Sequence, residues 1–205
     1  NPLFSMRGFL QILQQSLSED DKRREYADII ISELDRMDSL LNGFLAQFRK
    51  HSLNETECED CISINKVIAE TITFFQSSFE LSGITCETCY SEEDLVILIE
   101  RDQLMQIFIN LIQNAIEAMK KGAVLNIRTY KANGMACVEI KDQGTGIKQG
   151  EINRIFDSFY STKEKGTGLG LYITRRIVNN NGGNIYLESK EGKGTTFYLE
   201  FPAKN

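Results

Sequence analysis

N-L-I-Q-N-A at residues 110–115, D-Q-G-T-G at 142–146, F-D-S-F-Y-S-T-K at 156–163 and G-T-G-L-G at 166–170 follow one another along one stretch, with G-K-G-T-T-F at 192–197 as a coda. Each motif has an ordinary explanation alone; the ordered set describes a nucleotide site. Asn110 and Asn114 stand four apart and so share one helix face, while Ile107, Phe108, Leu111, Ile112 and Ile116 interleave toward a core. An amide oxygen at Asn114 suits Mg²⁺, which takes oxygen ligands and needs only one or two from protein when phosphates supply the others. The plain alternative is that both amides satisfy buried backbone. Asp142 ends a strand pattern, with Gly144 and Gly146 behind it. A carboxylate there accepts a hydrogen bond from the exocyclic amino group of adenine, and glycines let the backbone come close; the alternative is an Asp-Gly turn. Gly166, Thr167, Gly168, Leu169 and Gly170 precede a helix, where backbone N–H groups and the dipole favour phosphate. The loop is neither a Walker A loop nor a Rossmann fingerprint, since no G-K-[ST] ending follows and no strand precedes. Lys163 and Lys165 lie just upstream, either as phosphate-facing charges or as solvated lysines.

Working outward, residues 61–64 read as a short strand and 66–81 as a helix ended by Gly83. Strands are expected at 84–90 and 95–99, then a helix at 102–120 ended by Gly122. Residues 123–131 and 135–142 alternate apolar and polar and join through Asn133-Gly134, a hairpin signal. A helix over 169–180 and a strand pair at 184–189 and 195–201 complete a sandwich with helices on one face of a sheet.

The first fifty residues follow another rule. Leu3, Met6, Leu10, Leu13 and Leu17 form one helical stripe; Tyr26, Ile30, Leu34, Met37, Leu41, Leu45 and Phe48 form a second, near-heptad one. The polar run at 16–22 between them makes an antiparallel hairpin. Ile29, Ile31 and Phe44 widen the apolar surface beyond what a lone hairpin buries. A second copy supplying another hairpin completes a four-helix bundle, so a homodimer through residues 1–50 is expected; packing on the rest of its own chain is the alternative. His51, the one histidine, sits beside Lys50 at a polar linker and reads as an exposed linker residue.

Composition sets bounds. With 205 residues the chain is long enough for one or two cores, and 41% hydrophobic with 25% charged residues is an ordinary globular profile. A formal charge of −6 excludes a non-specific nucleic-acid footprint. Apolar runs such as 29–31 and 96–99 are far too short to span a bilayer, and no signal peptide is expected. Five cysteines, an odd number, favour reduced thiols and a cytoplasmic location. The chain begins at Asn1 inside a helical pattern and reads as a piece of a longer protein, whose upstream part is open to sensing or membrane segments.

At this point the motif order resembles the ATP-binding domain shared by sensor histidine kinases, gyrase-type topoisomerases, Hsp90 chaperones and MutL-type repair proteins, over residues 59–202. Residues 110–118 look like that family's N box, 142–146 its G1 box, 156–159 its F box, 166–170 its G2 box and 192–197 its last glycine-threonine element. The resemblance implies Mg²⁺ on Asn114, adenine on Asp142, and an ATP lid over 145–168. It extends ATP contact to Asn110, Gly144, Gly146, Gly166, Thr167, Gly168, Leu169, Gly170 and Thr195. ATP-hydrolysing members carry a Glu general base where this chain has Asn110, a poor proton acceptor, so the kinase branch is implied. Some histidine kinases place a basic residue three after the metal Asn; Glu117 stands there, which leaves Lys163 as the candidate phosphate contact. N-P-L-F-S-M-R-G-F-L at 1–10 looks like the end of a histidine-kinase H box. That places the phosphoacceptor His four positions before Asn1 and gives Asn1 a role in positioning water for dephosphorylating a response regulator.

The fold expected is therefore α+β: a helical hairpin domain over 1–52, half of a dimeric four-helix bundle, then an ATP-binding α/β sandwich over 59–205 with a mixed sheet covered by three helices on one face. The function expected is a Mg-ATP-dependent histidine kinase core that phosphorylates a bundle histidine and then an Asp of a response-regulator receiver domain. A non-catalytic dimeric scaffold of the same fold is the alternative, and an ATP hydrolase comes third. One pattern competes. Cys58-x-x-Cys61 and Cys86-x-x-Cys89 have zinc spacing, but strand residues three apart point to opposite faces, which opposes a shared site.

Overall fold

The computed structural model describes residues 61–163 and 168–204, together with Arg23. The expected hairpin, Asn1, His51 and Cys58 lie outside the described residues. From Cys61 onward, strand β1 (Cys61–Ser63) leads directly into helix α1 (Ile64–Ser82), whose N-terminus is capped by the Ser63 hydroxyl accepting from Lys66 N at 3.4 Å. Gly83, at φ 63°, ends it in the left-handed conformation that a C-terminal cap requires. Strands β2 (Thr85–Cys89) and β3 (Val96–Leu98) precede helix α2 (Arg101–Ala118). The hairpin of β4 (Val124–Ala132) and β5 (Met135–Lys141) turns at Asn133 and Gly134, with φ of 51° and 75°. Helix α3 (Gly170–Asn180) and strands β6 (Asn184–Lys190) and β7 (Gly194–Pro202) follow.

Five strands form one sheet in the order β2-β4-β5-β7-β6; β2 runs parallel to β4 and every other pair is antiparallel. The sheet is mixed, as expected. β1 and β3 form a separate two-stranded antiparallel ladder, a partition that alternation alone does not reveal. Inward residues Leu125, Ile127, Val138, Ile140, Leu199 and Phe201 are at most 2% exposed, and they meet Leu104, Ile107, Phe108, Leu111 and Ile112 of α2, at most 1% exposed. α2 packs against both α1 and α3, so it is the middle helix of three.

The sequence places the end of α2 too late. The helix stops at Ala118, and Met119 is extended at φ −92°, ψ 157°. The carbonyl of Ala118 is then free to accept Thr145 N at 3.1 Å, which ties the helix end to the loop after β5. Gly122, at φ 87°, shapes the turn into β4 instead of capping the helix.

Phe108 is fully buried at the centre of α2. Replacing it with Ala is expected to destabilise this domain by about 3–5 kcal/mol through lost burial and the cavity left behind. A urea titration reads this as a lowered midpoint, and a midpoint equal to that of the parent chain would refute it.

Candidate functional site

Asp142 leaves the end of β5 and is only 5% exposed. Its N–H donates to Thr195 O at 2.9 Å, which prolongs the β5–β7 ladder by one bond. Its carboxylate Oδ1 accepts Gly144 N at 2.8 Å and Thr195 N at 3.1 Å. Burial pushes the carboxyl above the ordinary aspartate value, and these two N–H groups pull it part of the way back. Gly194, at φ 93°, makes the arrangement possible: a Cβ there would lie 2.1 Å from Asp142 O. On the other side, a Cβ at Gly146, φ 67°, would lie 2.2 Å from Lys190 O. The loop between them is sewn to the β6–β7 turn by Ile147 N donating to Ser189 Oγ at 2.8 Å and Gly192 N donating to Thr145 O at 2.7 Å. Ser189 Oγ also lies 2.9 Å from Thr195 Oγ1.

The opposite wall is the polar stripe of α2. Asn110 Nδ2 donates to Gly170 O at 3.1 Å and to Thr174 Oγ1 at 3.2 Å, and its Oδ1 accepts Gln106 Nε2 at 3.1 Å. The amide is therefore occupied in fastening the start of α3 to α2. Asn114 Oδ1 accepts Lys163 Nζ at 3.2 Å, and the same ammonium is paired with the Glu117 carboxylate. Burial raises the Glu117 carboxyl, but hydrogen bonds from Lys163 and Gln113 outweigh it and leave it below the ordinary value. The first turn of α3 carries no acidic residue, so no carboxylate of its own offsets the positive end of the helix dipole.

Between these walls lies a cavity of about 440 Å³. Of the residues expected from sequence, Asn110, Asn114, Asp142, Gly146, Lys163, Gly168, Gly170 and Thr195 all line it. Gly144 stands behind the Asp142 carboxylate as its hydrogen-bond donor and does not line the cavity. Leu169 caps α3, its carbonyl accepting Ile173 N at 2.9 Å. Gly166, Thr167 and Asn1 lie outside the described residues. The segment before Lys163 is held by Ile155, 8% exposed, and by Arg154 over the Tyr160 ring at 4.5 Å.

Three contributors escape a reading of motifs. Ser189 carries a faint signal, a polar residue at an inward position of β6. Gly194 is readable only as one more glycine of the coda. Ala118 contributes a carbonyl, which no side-chain pattern encodes. The pair that lies wholly within the described residues behaves as strand geometry requires: Cys86 is half-buried, Cys89 is exposed, and burial pushes the Cys86 thiol up to about 11, away from the thiolate a metal needs. Among the described residues no group of three His, Cys, Asp or Glu side chains is placed to hold a metal ion. No helix among them is long and apolar enough to cross a membrane.

Comparison with known proteins extends this geometry. Residues 99–205 match the family model described as histidine kinase-, DNA gyrase B- and HSP90-like ATPase. Residues 1–52 match the His Kinase A (phospho-acceptor) domain. Sporulation kinase C of Bacillus subtilis (strain 168) is 39% identical over the whole of this chain, which spans 46% of that protein. The solved catalytic domain of histidine kinase ThkA matches with a TM-score of 0.64 at 32% identity, covering 69% of this chain and 93% of that one. ThkA in complex with the response regulator TrrA matches with a TM-score of 0.63 at 25% identity, over 98% of this chain and 58% of that one. The chain therefore belongs to the histidine kinase-, DNA gyrase B- and HSP90-like ATPase family, with the two-part make-up of a sensor histidine kinase core.

Proposed function

We propose that this chain is the Mg-ATP-binding and phosphotransfer core of a sensor histidine kinase, with a hairpin dimerisation domain over 1–52 and an ATP-binding domain over 59–205. The observation that carries the reading is the convergence of Asn114, Asp142 and Lys163 on one cavity that Gly170, at the start of α3, also lines. Asp142, with Oδ1 held by two backbone donors, offers Oδ2 to the adenine amino group. Glycines 146 and 168 and Thr195 line the path of the nucleotide, and the start of α3 receives the phosphates. Asn114 Oδ1 already carries a cation, the Lys163 ammonium, which is the fit expected of an Mg²⁺ ligand. When bound, Mg²⁺ neutralises phosphate charge. The protein's own part is positioning: α2 holds Asn114, β5 and β7 hold Asp142, and Lys163 supplies positive charge at the phosphate end.

Asn110 carries the choice between kinase and hydrolase. Its amide is engaged with Gly170 O and Thr174 Oγ1, and an amide takes up no proton from water at neutral pH. The γ-phosphoryl is then reserved for a side chain. The match of residues 1–52 to a phospho-acceptor domain and the ThkA–TrrA complex support a bundle histidine as first acceptor and a receiver-domain Asp as second. Homodimerisation through residues 1–50 and water positioning by Asn1 in regulator dephosphorylation belong to the same proposal.

The decisive experiment is autophosphorylation with γ-labelled ATP in a chain that includes the residues preceding Asn1. The expected product is acid-labile; acid-stable label or none refutes the kinase reading. The Asn110 assignment predicts that the 205-residue chain binds ATP but releases almost no inorganic phosphate, whereas steady turnover would make it a hydrolase. D142N is expected to lose the charge-assisted hydrogen bond, about 1.5–3 kcal/mol, or roughly ten- to a hundredfold in nucleotide affinity. Binding needs ionised Asp142, and its value is raised. Affinity in the parent chain should therefore fall on acidification at a higher pH than an ordinary aspartate dictates, and D142N should lack that step. An unchanged affinity in D142N would sink the adenine assignment.

A further inference from the structure

We infer that Lys163 is a resident cation, held on Asn114 by Glu117, which a divalent metal displaces, so that the Glu117–Lys163 pair sets how much metal nucleotide binding requires. The inference rests on the nucleotide reading above and adds a regulator of metal demand to it. Asn114 and Glu117 lie three apart on α2 and so face the same way. Lys163 arrives from 49 residues further along the chain and touches both, with Nζ 3.2 Å from Asn114 Oδ1 and in an ion pair with Glu117. The arrangement is built from both ends. Glu117 Oε1 accepts Gln113 Nε2 at 2.7 Å, which fixes the carboxylate, and Lys163 N donates to Ser161 Oγ at 3.1 Å, which fixes the approach of the lysine.

Asn114 Oδ1 is a hard oxygen site for a cation, and the Glu117 carboxylate beside it favours positive charge there. The ammonium fills it without ligand chemistry, as a point charge with three rotatable donors. A metal that binds Asn114 Oδ1 needs the same lone pairs and the same space, and two cations there repel. Lys163 must therefore leave Asn114 as metal enters. Without metal, Lys163 remains as a positive charge on the cavity wall. Glu117 touches neither nucleotide nor metal in this scheme; it is a positioning residue that acts through Lys163.

The test is calorimetric titration of ADP into the 205-residue chain, in EDTA and across a Mg²⁺ series, for the parent, K163M, E117Q and the double variant. Both side chains are about two-fifths exposed, so the effects should have the size of a surface ion pair. K163M is expected to lower the Mg²⁺ concentration for half-maximal ADP affinity by about two- to fivefold, and to weaken ADP binding in EDTA by a similar factor. E117Q is expected to lower the Mg²⁺ requirement as well, yet to change nothing further in the K163M background. Raising salt should shrink every difference. ADP binding with an unmoved Mg²⁺ requirement in K163M overturns this inference and leaves the nucleotide site standing. A raised requirement on adding E117Q to K163M also overturns it, because Glu117 would then serve the metal directly. Failure of the parent to bind ADP under every condition sinks the nucleotide reading and this one with it.

Discussion

The buried carboxylate of Asp142 is the constraint on which the rest of the site depends. An ionisable group 5% exposed needs partners, and it finds them in the N–H groups of Gly144 and Thr195. Those two bonds bring together the end of β5, the glycine turn after it and the start of β7. Gly194 then becomes obligatory, because no side chain fits against the Asp142 carbonyl. Ser189 becomes the bridge between turn and strand. The carboxylate is thus held in place before any ligand arrives, the preorganisation that makes a polar contact discriminating.

α2 divides its circumference between two tasks. Leu104, Ile107, Phe108, Leu111 and Ile112 bury one face against the sheet, and Asn110, Asn114 and Glu117 present the other to the cavity. The helix cannot rotate to adjust one set without moving the other, so core packing fixes the aim of the polar stripe. Asn110 adds a second fixture by fastening α3 through Gly170 and Thr174. A glutamate at that position has no N–H to donate, so the residue type that would activate water would also give up both bonds to the start of α3. In this chain the choice of asparagine is structural as well as chemical.

Much of this was legible in the sequence. The period of α2, the Asn133-Gly134 turn, the Gly83 cap and the alternation of β4, β5 and β7 each carry a local signal, and the structure follows them. That Asp142 and Asn114 would meet on one cavity was legible as well, because a carboxylate before glycines and paired asparagines on a helix are written in side chains. What escaped is non-local or carried by backbone. The parallel pairing of β2 with β4, the split of β1 and β3 into their own ladder, and the use of Ala118 O by Thr145 depend on partners distant in sequence. Glu117 was read as a missing positive charge; only the three-dimensional approach of Lys163 gives it a partner.

Phe159 N donates to Gly168 O at 3.1 Å, which brings together the two flanks of residues 160–167, with Tyr160 and Gly168 on the wall of the cavity. The ends are secured independently of what lies between, on one side by Tyr160 beneath Arg154 and on the other by the start of α3 on Asn110. For a loop closed in this way, each doubling of length costs only about 0.6 kcal/mol. Closure entropy alone therefore penalises a change of length there only weakly, and what fixes the stretch is Lys163 within it, tied across to Asn114 and Glu117 on α2.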